Sequence, residues 1–389
     1  MRAGAHIFIV TPETYEVHRD FRFCAVGKLP KEEGGQAVAR VPATMEEFET
    51  SPEQKKHHSL IADLWNVGIG DFVFFYVTNR GFTGVYRASS PPFFDATPVG
   101  DVIGPERPFR LLIEPVIVLD HPVPEEHLFR TPESQNAFWV WYFAKMRNRP
   151  RACHAIDPGG RDRLIELLLK QNYGQIQPQV VRRYPGSPRY VISDLRTAHE
   201  KEVGRCALED TLRAEVLRGL RDGTADVSLI GGEPAELEWF ANNVPYHVSG
   251  RNIDILMFHR ARPFSPDLPI SPRVQYSVVE LKRDDAGKAD LEQLLGYCEW
   301  VGSQLAAGEF HTVQPLLIAN SFTKDTQSFA RSVRTSFKPI KLVTYRVKLG
   351  QLQFSSIQQP ADFTPARRPP QFSEEPTDLK VSKRRSAGG

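Results

Sequence analysis

The chain has 389 residues, of which 41% are hydrophobic and 25% are charged, and its formal net charge at pH 7 is +2. This length exceeds what one hydrophobic core usually organises, so two domains of ordinary size are expected. No segment approaches the roughly 20 consecutive apolar residues of a membrane-spanning helix, and the N-terminus lacks a secretory pattern. A cytoplasmic protein is therefore predicted.

The four cysteines are far apart in the sequence and form no C-x-x-C pair: Cys24, Cys153, Cys206 and Cys298. This spacing argues against a zinc site and against a disulfide framework. We interpret them as ordinary intracellular thiols.

Residues 1–174 carry the pattern of a mainly β domain. HIFIV at 6–10 is predicted to be a strand, and the polar segment from Lys28 to Lys56 a long loop. Short β-rich runs follow, as in a small barrel-like sheet, separated by three turn signals: Gly70-Asp71, Asn79-Arg80-Gly81 and Pro91-Pro92. Two helices, Ser134 to Met146 and Gly160 to Gln171, are predicted to close this domain.

A segment with three prolines, 175–190, is predicted to be a linker. Beyond it, helices and strands alternate over 191–354, as in an α/β domain. The predicted helices are Ala198 to Leu220 and Ala286 to Leu305, and the predicted strands lie in HVSGRNIDILMFHR, QYSVVELKR, QPLLIAN and KLVTYRV. Residues 355–389 are poor in apolar side chains and are predicted to be a disordered basic tail.

Two neighbouring predicted strands carry a set of charged side chains. In YSVVELKRD the alternation places Glu280 and Lys282 on one strand face, although such a pair alone is also typical of a solvated face. Asp254 interrupts the apolar strand NIDILMF, where an unpaired carboxylate would be costly to bury. If the two strands pair, Asp254 and Glu280 can bind Mg²⁺, with Mn²⁺ as a substitute. With Lys282, such a site predicts phosphodiester hydrolysis.

The next predicted helix carries Gln293 and Tyr297, which share one helix face because they are four residues apart. The series NIDILMF, VVELKRDDAGKADLEQLLGYCEWV resembles the core of PD-(D/E)XK nucleases of the RecB and NucS types, over about residues 198 to 348. The resemblance implies that Asp254 and Glu280 bind the metal, that Lys282 is the catalytic lysine, and that Gln293 and Tyr297 support them.

Such nucleases often carry a glutamate on the first helix of the core. The candidates here are Glu200, Glu202, Glu209 and Glu215, and we select Glu209, the alternative being that each is merely solvated. The loop between the two catalytic strands is longer than is usual in the family.

Aromatic residues are dense in the first domain, and most of them must belong to its core. Its opening HIFIV, the unit GDFVFFYVTNRGFTGVYRA, the later RPFRLLIEPV and the closing FWVWYFAKM and DPGGRDRLIELLLKQN resemble an EVE domain of the PUA-like superfamily. The resemblance implies recognition of a modified base flipped into an aromatic pocket. The residues selected for that pocket are Trp65, Asn66, Tyr76 and Asp95.

The predicted fold is thus a two-domain α+β and α/β protein, a PUA-like β-barrel with helices followed by a PD-(D/E)XK core with a mixed sheet. This arrangement resembles modification-dependent restriction endonucleases, which implies cleavage of double-stranded DNA with modified bases, association with the nucleoid and a homodimer for double-strand cutting. One alternative is a NucS-like endonuclease for mismatched or structured DNA. Another is a non-catalytic nucleic-acid-binding protein, disfavoured because all three catalytic positions are filled.

Overall fold

The structure is a computed structural model that describes residues 3–27, 54–119, 121–146, 151, 153–173, 182–187, 190–191, 204–206, 208–245, 251–260, 274–348 and 351–357. Several predicted features lie outside these residues: most of the long loop (28–53), parts of the linker, the start of the helix predicted from Ala198, including Glu200 and Glu202, and the basic tail from 358.

Eight strands form the first sheet: β1 (Ala5–Val10), β2 (Phe23–Val26), β3 (Phe72–Val77), β4 (Gly81–Ala88), β5 (Phe93–Phe94), β6 (Phe109–Ile117), β7 (His154–Ile156) and β8 (Tyr190–Val191). Their order is β7-β1-β3-β4-β6-β5-β8, and β2 also pairs with β6. β6 pairs with β4 through its second half and with β2 through its first half. The sheet therefore curls at β6 into a half-barrel.

The helices of this first unit are α1 (Pro12–Phe21), α2 (Gln54–Trp65), α3 (Pro132–Ala137), α4 (Trp139–Met146) and α5 (Pro158–Asn172). Helix α1 was not predicted from the sequence, although Thr11 caps it by accepting a hydrogen bond from the Thr14 N–H. The single helix predicted from Ser134 is two helices that meet at Phe138. None of the described helices is long and apolar enough to cross a membrane.

The second unit begins with α6 (Glu209–Asp222) and builds a six-stranded mixed sheet in the order β14-β13-β12-β11-β10-β9. Its elements are β9 (Leu237–Pro245), β10 (Asn252–His259), β11 (Tyr276–Ala286), α7 (Lys288–Gln304), β12 (Val313–Phe322), α8 (Lys324–Ser332), β13 (Lys341–Lys348) and β14 (Gln351–Ile357). β11, β12 and β13 are parallel and are connected through α7 and α8. The alternation of strands and helices in this unit is as predicted, and β9 and β14 are two strands that were not predicted.

The predicted pairing of the two charged strands is confirmed. β10 and β11 are antiparallel, with Ile255 opposite Val279. The same register places Asp254 opposite Glu280, because partners in an antiparallel pair move in opposite directions along the chain.

The two units share a hydrophobic core. A linker at 175–190 had predicted a separate core for each domain. One cluster of buried side chains includes Phe75 of the first sheet, Leu217 of α6 and Val279 of the second sheet. Helix α2 contributes Ile61 to the same cluster and packs against α6. The sequence could not show this, because the apolar end of α2 directly follows the polar segment that was predicted to be a loop. All four cysteines are buried free thiols.

Buried charges also join the units. Asp71, just before β3, accepts hydrogen bonds from the Gly4 and Gly68 N–H groups and lies 3.1 Å from Nη1 of Arg221 in the last turn of α6. Burial opposes ionisation of Asp71, but the His6 hydrogen bond and the Arg221 charge hold its pKa below the usual value. A second bridge connects Asp63 of α2 to Asn242 of β9 at 2.8 Å.

We predict that Asp71→Ala destabilises the whole chain, because it leaves the Arg221 guanidinium buried without its carboxylate. The expected loss of unfolding free energy is about 3 kcal/mol. Asp162→Ala is the control, since the Asp162 side chain is 64% exposed and its ion pair with Arg161 contributes about 0.5 kcal/mol or less. Urea denaturation of both full-length variants measures the difference, and equal losses would contradict the structural role given to Asp71.

Candidate active site

Asp254 lies in the middle of β10 and is 6% exposed. Its Oδ2 accepts a hydrogen bond from the Leu281 N–H of β11 at 2.8 Å. Its Oδ1 accepts one from Nη2 of Arg213 in α6 at 2.6 Å. The carboxylate is therefore fixed to the neighbouring strand on one side and neutralised by a buried guanidinium on the other.

Glu280 is 2% exposed and lies at the centre of a hydrogen-bonded chain. Its Oε1 accepts from Lys282 Nζ and from Gln293 Nε2, each at 2.6 Å. Gln293 Nε2 also donates to the Tyr297 hydroxyl at 2.8 Å. The strand alternation and the four-residue helix spacing thus bring these four predicted residues into one cluster. The other oxygen, Oε2, is buried and has no hydrogen-bond partner among the described residues.

The charges in the cluster act on one another. Burial, followed by the nearby charge of Asp254, raises the pKa of Glu280 to about 8, while Lys282 opposes the shift. Burial alone would lower the pKa of Lys282, but the charge of Glu280 outweighs it and raises that pKa. The two groups are thus linked: the Lys282 ammonium is stabilised by the Glu280 carboxylate, whereas burial beside Asp254 opposes ionisation of Glu280.

Helix α6 adds further carboxylates. Glu209 is its first residue and lies 3.7 Å from Arg213 Nη2, the nitrogen that also contacts Asp254. Burial and then the Asp254 charge raise the pKa of Glu209. Arg213 also pairs with Asp210. Glu215, the other described candidate, pairs instead with Arg218 at 2.9 Å.

Arg213 was not among the residues predicted from the sequence. Its helix buries an apolar face that carries Leu212, Val216, Leu217 and Leu220. Arg213 is buried on that helix as well, and a cation among buried apolar positions indicates an acidic partner elsewhere in the fold. An arginine within the apolar pattern of this helix was visible in the sequence, but its partner, Asp254, is 41 residues away in the chain.

The donor chemistry of the cluster suits a hard divalent cation. Buried carboxylate oxygens are the ligands that Mg²⁺ and Mn²⁺ prefer, and a cation would satisfy the Glu280 Oε2 atom that no described side chain serves. The described residues do not, however, bring three His, Cys, Asp or Glu side chains together as a metal site. Arg213 contributes to this separation of the carboxylates, because its guanidinium lies against both Asp254 and Glu209.

The four residues selected for a base pocket are dispersed in the structure. Trp65 belongs to the shared core cluster that also contains Phe75, whereas Tyr76, the next residue of β3, packs against a separate cluster and its ring centroid lies 5.1 Å from that of Trp141. Because strand side chains alternate, Trp65 and Tyr76 lie on opposite faces of the first sheet. The Asn66 carbonyl accepts a hydrogen bond from Arg221. Asp95 accepts one from the Tyr184 hydroxyl at 2.8 Å. A role for these residues in base recognition stays a prediction.

No family model matches the sequence, and no curated protein matches it significantly. Among solved structures, protein Atu2648 from Agrobacterium tumefaciens is 16% identical, with 46% of this chain and 99% of that chain covered and a TM-score of 0.24. The human THYN1 protein in complex with DNA containing 5-methylcytosine is 14% identical, with coverages of 42% and 97% and a TM-score of 0.24. At these values neither similarity assigns a fold or a function to the chain.

The raised pKa of Glu280 predicts a pH-dependent effect of Glu280→Gln in metal-free protein. An acid whose pKa is near 4.5 when unfolded and about 8 when folded costs stability as the pH rises through that window, since the folded state holds the proton. The variant should therefore gain more than about 1 kcal/mol relative to wild type at about pH 9, and should gain little at about pH 5.

Urea denaturation in EDTA at both pH values measures this gain. Glu292→Gln is the matched control, because Glu292 is exposed on the same helix as Gln293 and pairs only with Lys288 in the described structure. The same gain at both pH values would contradict a raised pKa of Glu280 in the folded protein.

Proposed function

We propose that the chain is a metal-dependent endonuclease that hydrolyses phosphodiester bonds in DNA. The observation that carries the proposal is the cluster formed by Asp254, Glu280 and Lys282, which are contributed by two paired strands. Burying so many charged groups is expensive, and replacing them with apolar side chains often stabilises a fold. Their presence at one place is therefore better explained by chemistry than by stability.

Each residue of the cluster has a function that follows from its contacts. Asp254 and Glu280 would hold Mg²⁺ or Mn²⁺, which when bound would lower the pKa of a water molecule and withdraw charge from the scissile phosphate. Lys282, held through Glu280 Oε1, can orient the attacking water or donate to a phosphate oxygen. Gln293 fixes the orientation of the Glu280 carboxylate, and Tyr297 fixes that of Gln293.

We further propose that the first unit selects the DNA by reading a modified base, as its resemblance to EVE domains implies. Helix α6 supports a coupling between reading and cutting. Its first two turns carry Glu209 and Arg213 at the carboxylate cluster, and its last turn carries Arg221, which pairs with Asp71 of the first unit. A change at the first unit would thus reach the cluster through one rigid element.

We predict that Asp254→Asn abolishes Mg²⁺-dependent plasmid cleavage while the protein still binds DNA. The amide keeps an acceptor for the Leu281 N–H but removes the charge that a divalent ion requires. Arg213 also loses the charge of this partner and keeps Asp210, so urea denaturation must show that the variant is folded under the assay conditions. The cleavage rate should fall by about a hundredfold or more. Asp325→Ala is the control, because Asp325 is an exposed residue in the first turn of α8. Undiminished cleavage by Asp254→Asn, or by wild type in EDTA, would overturn the metal assignment.

The substrate is tested with matched duplexes that carry cytosine, 5-methylcytosine, 5-hydroxymethylcytosine or a mismatch. Faster cleavage of a modified duplex supports restriction of foreign DNA. Faster cleavage of the mismatch would instead support a repair endonuclease. DNA binding without cleavage in Mg²⁺ or Mn²⁺ would favour a non-catalytic nucleic-acid-binding protein.

A further inference from the structure

Arg213 contacts three carboxylates at once, and two of them belong to the candidate active site. Its Nη2 donates to Asp254 Oδ1 at 2.6 Å and lies 3.7 Å from Glu209 Oε1, while its Nη1 pairs with Asp210. The Arg213 side chain is 7% exposed, so these charges meet largely out of water. A guanidinium therefore lies at the carboxylate oxygens that a divalent cation would use.

The contacts of Arg213 differ from those that a purely structural ion pair requires. Asp254 is already oriented through its Oδ2 atom, which accepts a hydrogen bond from the Leu281 N–H at 2.8 Å. Arg213 Nε is buried and has no hydrogen-bond partner among the described residues, so burial leaves one donor of the guanidinium unsatisfied. The position of this arginine is therefore better explained by the chemistry of the site than by stability.

The carboxylates of the cluster outnumber its cations. Lys282 Nζ lies 2.6 Å from Glu280 and 3.6 Å from Asp290, and Arg213 serves the other three acids. A divalent ion has the charge to take the place of the guanidinium beside Asp254. The two cations would repel each other strongly if both stayed there, because they would be a few ångströms apart in a site with little water.

We propose that Arg213 competes with the divalent cation for Asp254 and Glu209, an inference that rests on the proposed metal-dependent function. When the metal binds, the guanidinium releases Asp254 and keeps Asp210, its partner one turn away on α6. The helix stays in place, because its apolar face, which includes Leu217, is fixed in the shared core. Arg213 is thus a positioning residue that holds Asp254 and lowers the affinity of the site for metal.

The test measures Mn²⁺ binding to the full chain without DNA, from the fall in the electron paramagnetic resonance signal of the free ion. Arg213→Met removes the charge and keeps most of the apolar stem, so it should bind Mn²⁺ at least about tenfold more tightly than wild type. A variant that is merely less stable would bind the ion more weakly. Asp254→Asn should lose the binding, which identifies the site that is measured.

Arg218→Met is the matched control for the loss of the guanidinium. Arg218 lies on the same helix, its side chain is 18% exposed, and it pairs with Glu215 at 2.9 Å instead of with the cluster. Its replacement should cost stability in a similar way but leave the affinity for Mn²⁺ at the wild-type value. A tenfold gain in this control as well would overturn the assignment to Arg213.

A second substitution acts through Arg213. Asp210→Asn removes the partner that receives the guanidinium, so it should weaken Mn²⁺ binding by about fivefold in the wild-type background. In the Arg213→Met background it should change the affinity by less than about twofold, because no guanidinium is left to hold. Equal effects in both backgrounds would overturn the exchange of partners. Asp222→Asn, about 18 Å further along α6, is the control and should have no effect.

Mn²⁺ affinity of Arg213→Met that is equal to or below that of wild type overturns the proposal. If this variant is unfolded without metal, Mn²⁺ should restore its structure, and Asp210→Asn tests the exchange in a chain that keeps Arg213. If wild type binds Mn²⁺ through Asp254 but neither substitution shifts the affinity as stated, this inference fails and the proposed function stands. If neither wild type nor Arg213→Met binds Mn²⁺, this inference fails, and the proposed function fails as well unless wild type cuts DNA in Mn²⁺.

Discussion

The buried ion pair between Arg213 and Asp254 is the interaction on which the arrangement of the candidate site depends. Asp254 is charged inside a strand, and Arg213 is charged inside a helix, so neither could be buried alone without a large penalty. Their contact at 2.6 Å fixes the first turns of α6 against the second sheet. The far end of the same helix is fixed by Arg221 against Asp71. One helix thus joins the carboxylate cluster to the first unit.

The shared core gives this connection a physical consequence. Because Phe75, Leu217 and Val279 belong to one buried cluster, the two units cannot separate without exposing apolar surface to water. A substrate bound at the candidate site would therefore meet the two units as one body.

The sequence was sufficient where the signal is local. Alternation along β11 predicted that Glu280 and Lys282 lie side by side, and the helix period predicted the contact between Gln293 and Tyr297. It failed where partners are distant in the chain. Arg213 meets Asp254 only in the folded protein, and β9 was missed because two asparagines interrupt its apolar pattern. The grouping of Trp65 with Tyr76 required knowing which sheet face each ring occupies, which no local pattern provides.

The single-turnover rate of Lys282→Met, measured with Mg²⁺ at saturating protein, tests the nuclease assignment most directly. Methionine keeps most of the apolar stem and removes the charge, so the account predicts a loss of about a hundredfold in rate with little change in DNA affinity. Lys288→Met, at an exposed lysine that begins α7, should cleave at the wild-type rate. A loss of DNA affinity with an unchanged single-turnover rate would contradict the account, because Lys282 would then bind phosphate without taking part in the chemistry.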